Sequence, residues 1–98
     1  MRKIDQIAVD AFLNARPFSQ GNTQIEVLPN VTIMRLHGNA IAYKYNDPEK
    51  TLSVTNCGFN TNTTNSRLNS IPNVTVQNKK GVLLLNNEIW DGKLIDIK

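Results

Sequence analysis

The sequence predicts a single α+β domain: an N-terminal helix, an antiparallel β-meander, a short second helix and a C-terminal β-hairpin. Three observations carry this. Apolar residues near the N-terminus recur at helical spacing. Short apolar or β-branched runs are separated by tight turns, which implies antiparallel pairing. A Thr/Asn-rich stretch leading into Leu68 and Ile71 marks a second helix. With 98 residues, one domain over 1–98 and one modest core are expected.

Ile4, Ile7, Ala8, Ala11 and Phe12 share one helical face, so a helix is predicted from Ile4 to Ala15, stopped by Pro17. Its face should cover a sheet. Gly21-Asn22 is a turn, and Gln24 to Leu28 a short strand closed by Pro29-Asn30. Val31 to Leu36 alternates as a strand, with Thr32, Met34 and Leu36 on one face. His37-Gly38-Asn39 supplies a tight turn. Ala40 to Tyr45 returns, and Ile41, Tyr43 and Tyr45 share a face. Asp47-Pro48-Glu49-Lys50 turns again, and Thr51 to Asn56 ends the meander. The second helix starts near Asn62 or Thr63 and stops at Pro72. Val74 to Asn78, a Lys79-Lys80-Gly81 turn and Val82 to Leu85 form a hairpin. Asn86-Asn87 leads to Glu88-Ile89-Trp90, and Asp91-Gly92 turns before Leu94, Ile95 and Ile97. Trp90 reads as a core anchor. Lys79-Lys80, with Lys93 and Lys98, forms a basic patch whose plainest role is solvation and edge protection.

The composition, 40% hydrophobic and 19% charged, is that of an ordinary folded domain. No apolar run is long enough to cross a bilayer, and the N-terminus does not read as a signal peptide. No membrane partner is expected. One Cys and one His exclude an internal disulfide and the usual structural zinc sites. The net charge of +3 favours anionic partners mildly and falls short of a dedicated DNA packager.

The segment Thr55 to Asn69 carries the functional reading. A β-like run ends at Gly58, a cluster of Thr and Asn follows, and a helix begins. Free backbone N–H groups at a helix start can meet an anion. Thr61, Thr63, Thr64 and Arg67 are the candidate phosphate ligands, and Phe59 offers a face for a base. Asn69 joins them, since an amide both donates and accepts. Fourteen residues of the chain are Asn. Arg67 lies about 100° from the core-facing Leu68 in a regular helix, toward the rim or solvent. The competing reading is capping: Thr63 or Asn62 satisfies the helix N–H groups and the others make turns.

Several phrases resemble a widespread family of small bacteriophage proteins. They are Ala8-Val9-Asp10-Ala11-Phe12, Gly21-Asn22-Thr23, Leu36-His37-Gly38-Asn39-Ala40-Ile41-Ala42, and Thr55-Asn56-Cys57-Gly58-Phe59 running into Thr61, Thr63-Thr64 and Arg67-Leu68-Asn69. Val74-Thr75-Val76, Gln77 to Val82 and Asn86 to Gly92 complete the pattern. Similar sequences often carry Trp at the position of Phe59. The resemblance implies phage origin and action in the host bacterial cytoplasm. Small phage proteins of this kind block a host protein, sequester a host immune nucleotide or bind nucleic acid.

An enzyme is not expected. Cys57 and His37 each flank a turn, no carboxylate neighbours either, and no metal-binding or phosphate-loop motif occurs. No cofactor is implied. The leading expectation is a non-catalytic accessory protein that counteracts host defence by sequestering a nucleotide-type signal. The alternative is direct binding to a macromolecule, either a host protein or nucleic acid. Exposed sheet edges also predict a homo-oligomer.

Overall fold

The computed structural model describes residues 3–49 and 51–97. Lys50 of the expected turn and Lys98 of the expected basic patch lie outside them. The elements run α1 (Lys3–Leu13), β1 (Phe18–Gln20), β2 (Thr23–Val27), β3 (Val31–Leu36), β4 (Asn39–Tyr45), β5 (Leu52–Val54), α2 (Asn62–Asn69), β6 (Val76–Lys79), β7 (Val82–Leu85), β8 (Glu88–Ile89) and β9 (Ile95–Ile97). The class is α+β, as the sequence predicts.

All strand pairs are antiparallel. The strands form two sheets, β1-β2-β3-β4-β5-β9 and β6-β7-β8. Two strands escape the sequence reading. Phe18–Gln20 pairs with the start of β2, and Ile95–Ile97 crosses back to pair with β5. The β3–β4 loop is His37-Gly38 alone, since Leu36 already pairs with Asn39. Both loop residues have positive φ, 53° and 81°, the geometry that matches strand twist in a two-residue hairpin.

A bulge sits in β4. Met34 pairs with Ala42 but Arg35 pairs with Ala40, leaving Ile41 without an opposite residue. A regular strand alternates its faces. The bulge breaks the alternation and lets successive residues Ile41 and Ala42 both be buried.

The face of α1 also differs from expectation. Asp5, Ala8, Val9, Ala11 and Phe12 are the buried residues, and Ile7 is exposed. The inward stripe is Asp5-Ala8-Val9-Phe12, again at i, i+3, i+4 and i+7, with an acid in its first position. The helix turns this way because Asp5 has a partner inside. Its C-terminal end is closed by Ala15 in the left-handed region (φ 51°), with Arg16 N donating to Ala11 O at 2.9 Å. Lys44 from β4 adds a cation there, its Nζ donating to Leu13 O at 2.7 Å.

The core joins both helices and both sheets. Phe12, Met34, Ile41, Val54, Leu68 and Ile71 are its largest wholly buried apolar side chains. Trp90 packs in this cluster as expected, and its Nε1 donates to Lys93 O at 3.0 Å. Tyr43 and Tyr45 stack on each other, with ring centroids 6.2 Å apart.

Candidate functional site

The chain between β5 and α2 is held by a short network around Asn56. Asn56 N donates to Gly92 O at 3.1 Å, and Thr55 Oγ1 donates to the same carbonyl at 2.6 Å. Asn56 Oδ1 accepts from Gly58 N at 2.9 Å, and Phe59 N donates to Asn56 O at 2.8 Å. Cys57 and Gly58 both have positive φ, so the backbone reverses tightly and pushes Phe59 outward. Cys57 Sγ donates to Ala40 O at 3.0 Å, fastening the turn to β4.

Helix α2 then starts on Thr61. This residue is extended (φ −113°, ψ 161°) and its Oγ1 accepts from Thr64 N at 3.2 Å, an N-cap. The cap falls on Thr61, earlier than the Asn62 or Thr63 of the sequence reading. Thr64 is buried, with its hydroxyl against that of Thr61 at 3.1 Å. The N–H groups of Asn62 and Thr63 belong to the first turn, where no intrahelical acceptor exists.

Beside this helix start lies a cleft of about 360 Å³, lined by Leu36, His37, Asn39, Ile41, Phe59, Thr61, Thr63 and Thr64. Phe59 is 51% exposed and stands at its rim. Leu36 and Ile41 give an apolar floor, and the bulge at Ile41 puts that side chain there. The β3–β4 turn supplies the other wall. Asn22 Nδ2 lies 3.1 Å from His37 Nε2 and orients the imidazole. Among the described lining residues, only His37 can carry charge.

Four of the sequence-predicted residues, Phe59, Thr61, Thr63 and Thr64, therefore meet at one cleft. Arg67 does not. It is 3% exposed and paired with Asp5, itself 0% exposed. Its Nη1 donates to Asp5 Oδ1, and its Nε donates to Thr23 Oγ1 at 3.0 Å. Ser66 Oγ donates to the second Asp5 oxygen at 2.5 Å. The expected outward direction is a correction with a simple cause: α1 and β2 occupy the space that a lone helix on a sheet would leave to water. A guanidinium in that space needs a counter-charge, and Asp5 provides it.

Asn69 also stands apart. Its Nδ2 donates to Val76 O at 3.0 Å and its Oδ1 accepts from Val76 N at 2.6 Å. The side chain thus stands in for a neighbouring strand at the free edge of β6. It lines a separate groove on the other flank of α2, with Asn62, Asn65, Ser66, Ser70 and Asn78. Sequence reasoning missed Leu36, His37, Asn39 and Ile41 as cleft residues. The quoted phrase Leu36-His37-Gly38-Asn39-Ala40-Ile41 held the signal, but nothing local shows that this hairpin faces Thr61.

A family model described as Kyanoviridae Gp96 protein matches residues 1–92, so the chain belongs to that phage protein family. No curated protein and no solved structure matches the chain.

Proposed function

We propose that this member of the Kyanoviridae Gp96 family is a non-catalytic phage accessory protein that binds a nucleotide-type signal of the infected host, in the host cytoplasm, and so withdraws it from defence. One observation carries the reading: the half-exposed Phe59 ring and the first turn of α2 open on the same cleft. Its volume of about 360 Å³ lies within the roughly 300–1,000 Å³ of small-molecule sites. A base stacks on Phe59 over the floor of Leu36 and Ile41. A phosphate meets the N–H groups of Asn62 and Thr63 and the hydroxyls of Thr61 and Thr63.

The burial of Arg67 sets the balance of forces. A helix N-terminus contributes only about 0.3–1 kcal/mol per nearby charge at an exposed site. Base–aromatic stacking is worth about 1–3 kcal/mol. Affinity therefore depends on the base more than on the phosphates, and a ligand with few phosphates is preferred over a polyphosphate. The lining offers one proton-transferring group, His37, with no carboxylate or thiol beside it. That composition favours holding a ligand over transforming it.

Isothermal titration against cyclic and ADP-ribose-type nucleotides tests the proposal. At least one is expected to bind, and Phe59→Ala is expected to remove the heat without lowering Tm. An absence of binding across the panel up to millimolar concentration rejects it.

A further inference from the structure

The strands β8 and β9 are each the outermost strand of their sheet. Along each, one row of backbone N–H and C=O groups has no strand neighbour. Residues of both strands line one groove of about 730 Å³, made by Leu85, Glu88, Leu94, Ile95, Asp96 and Ile97 together with Asn86. This groove lies apart from the cleft at α2. Its lining includes open apolar side chains: Leu94 is 54% exposed and Ile95 45%. Strand edges bordered by open apolar side chains attract further strands, and proteins that need free edges guard them with Lys or Pro. Among the described residues, no Lys or Arg lines this groove. Its charged residues are Glu88 and Asp96, and Asp91 lies on the turn between β8 and β9 beside Lys93. The described lining of the groove is thus acidic in a chain of net charge +3.

We infer that this groove docks an extended segment of another protein in which apolar and basic side chains alternate. Such a segment adds a strand to the edge of β9, and its backbone takes up the unpaired N–H and C=O groups. Its apolar side chains cover Leu94 and Ile95. Its basic side chains face Glu88 and Asp96. Asp96 is already oriented, since it accepts a hydrogen bond from Ser53 Oγ on β5. A second copy of this chain fits less well. Antiparallel pairing of β9 with itself about its central residue sets Asp96 against Asp96, and like charges directly opposite destabilise a pair. The free strand β1, Phe18-Ser19-Gln20, brings no cation.

The test uses the isotope-labelled full chain and two short capped peptides, one alternating lysine with valine and one alternating glutamate with valine. The lysine peptide is expected to give saturable amide shifts confined to residues 82–97, weakened by salt. Glu88→Lys, an exposed substitution, is expected to weaken that binding roughly tenfold with Tm unchanged. Three results overturn the inference: no shifts at millimolar lysine peptide; equal binding of both peptides, which is apolar adhesion alone; or a dimer in light scattering that Ile95→Lys converts to monomer, which assigns the surface to a second copy.

Discussion

Thr61 and Thr63 at the start of α2 look onto an open cleft beside Phe59, whereas Arg67 and Asn69 at its end are held by Asp5, Thr23 and the backbone of Val76. Both ends carry polar side chains, and both invite a ligand when read as sequence. The difference lies in what packs alongside. At the N-terminal end the neighbour is a hairpin turn that leaves a gap. At the C-terminal end α1, β2 and β6 supply partners to the Arg67 and Asn69 side chains themselves, although a groove opens along the flank of α2 beside Asn69. A polar side chain becomes scaffold where its partners come from the same chain, and a ligand group only where the chain withholds them. In this protein the strongest charge in the segment serves the fold, and the weaker dipoles and one aromatic ring are left open to the cleft.

The largest expected effect separates these two ends. Arg67→Ala removes the guanidinium paired with the buried Asp5 carboxylate, and a loss of about 3–5 kcal/mol is expected by chemical denaturation. A double change, Asp5→Leu with Arg67→Met, should be less damaging than either single change, because apolar replacement of a buried pair is often near neutral. Equal stability of Arg67→Ala and the parent chain would return Arg67 to the rim and erase the contrast.

Gly92→Ala comes next. The residue has φ +85°, and a Cβ there would lie 2.3 Å from Asn56 Oδ1. Strain of about 1–3 kcal/mol is expected, visible as a lower Tm. Because Asn56 positions Phe59, ligand affinity should fall with it. Unchanged affinity would show that the cleft does not depend on this network.

Thr61→Ala removes the N-cap and is expected to reduce stability by about 1 kcal/mol. It tests both sides of the contrast at once, since Thr61 caps α2 and lines the cleft. At the small end, Phe59→Ala should change stability by less than about 0.5 kcal/mol, because half the ring already faces water. Nucleotide binding should still weaken by about 1–3 kcal/mol. A large drop in Tm would make Phe59 a packing residue.

Much of this arrangement is legible in the sequence, and the limits have physical causes. Turns and helix ends are written locally: Pro17, Gly38, Gly81 and the Thr/Asn cluster mark where the chain must stop or reverse. The meander follows from them. Phe18–Gln20 shows no alternation long enough to read, and its strand exists because β2 offers an edge. The return of β9 to β5 is a non-local pairing with no local trace. The burial of Arg67 depends on Asp5, 62 positions away, and α1 turns to meet it. The apolar spacing of Ile4 and Ile7 pointed to another face because it weighed hydrophobicity without that charge pair. The cleft was half legible for the same reason. Phe59, Thr61, Thr63 and Thr64 are contiguous, while His37 and Asn39 come from a distant hairpin.

The central claim is that the start of α2 binds a ligand and its end does not. Titrating the isotope-labelled chain with the nucleotide found in the binding panel, and following the backbone amides, tests it most directly. Shifts are predicted at His37, Asn39, Phe59, Asn62 and Thr63, with Asn69 and Val76 unmoved. Shifts centred on Asn69, Val76 and Asn78 would instead place the ligand in the groove on the other flank of α2 and contradict the account.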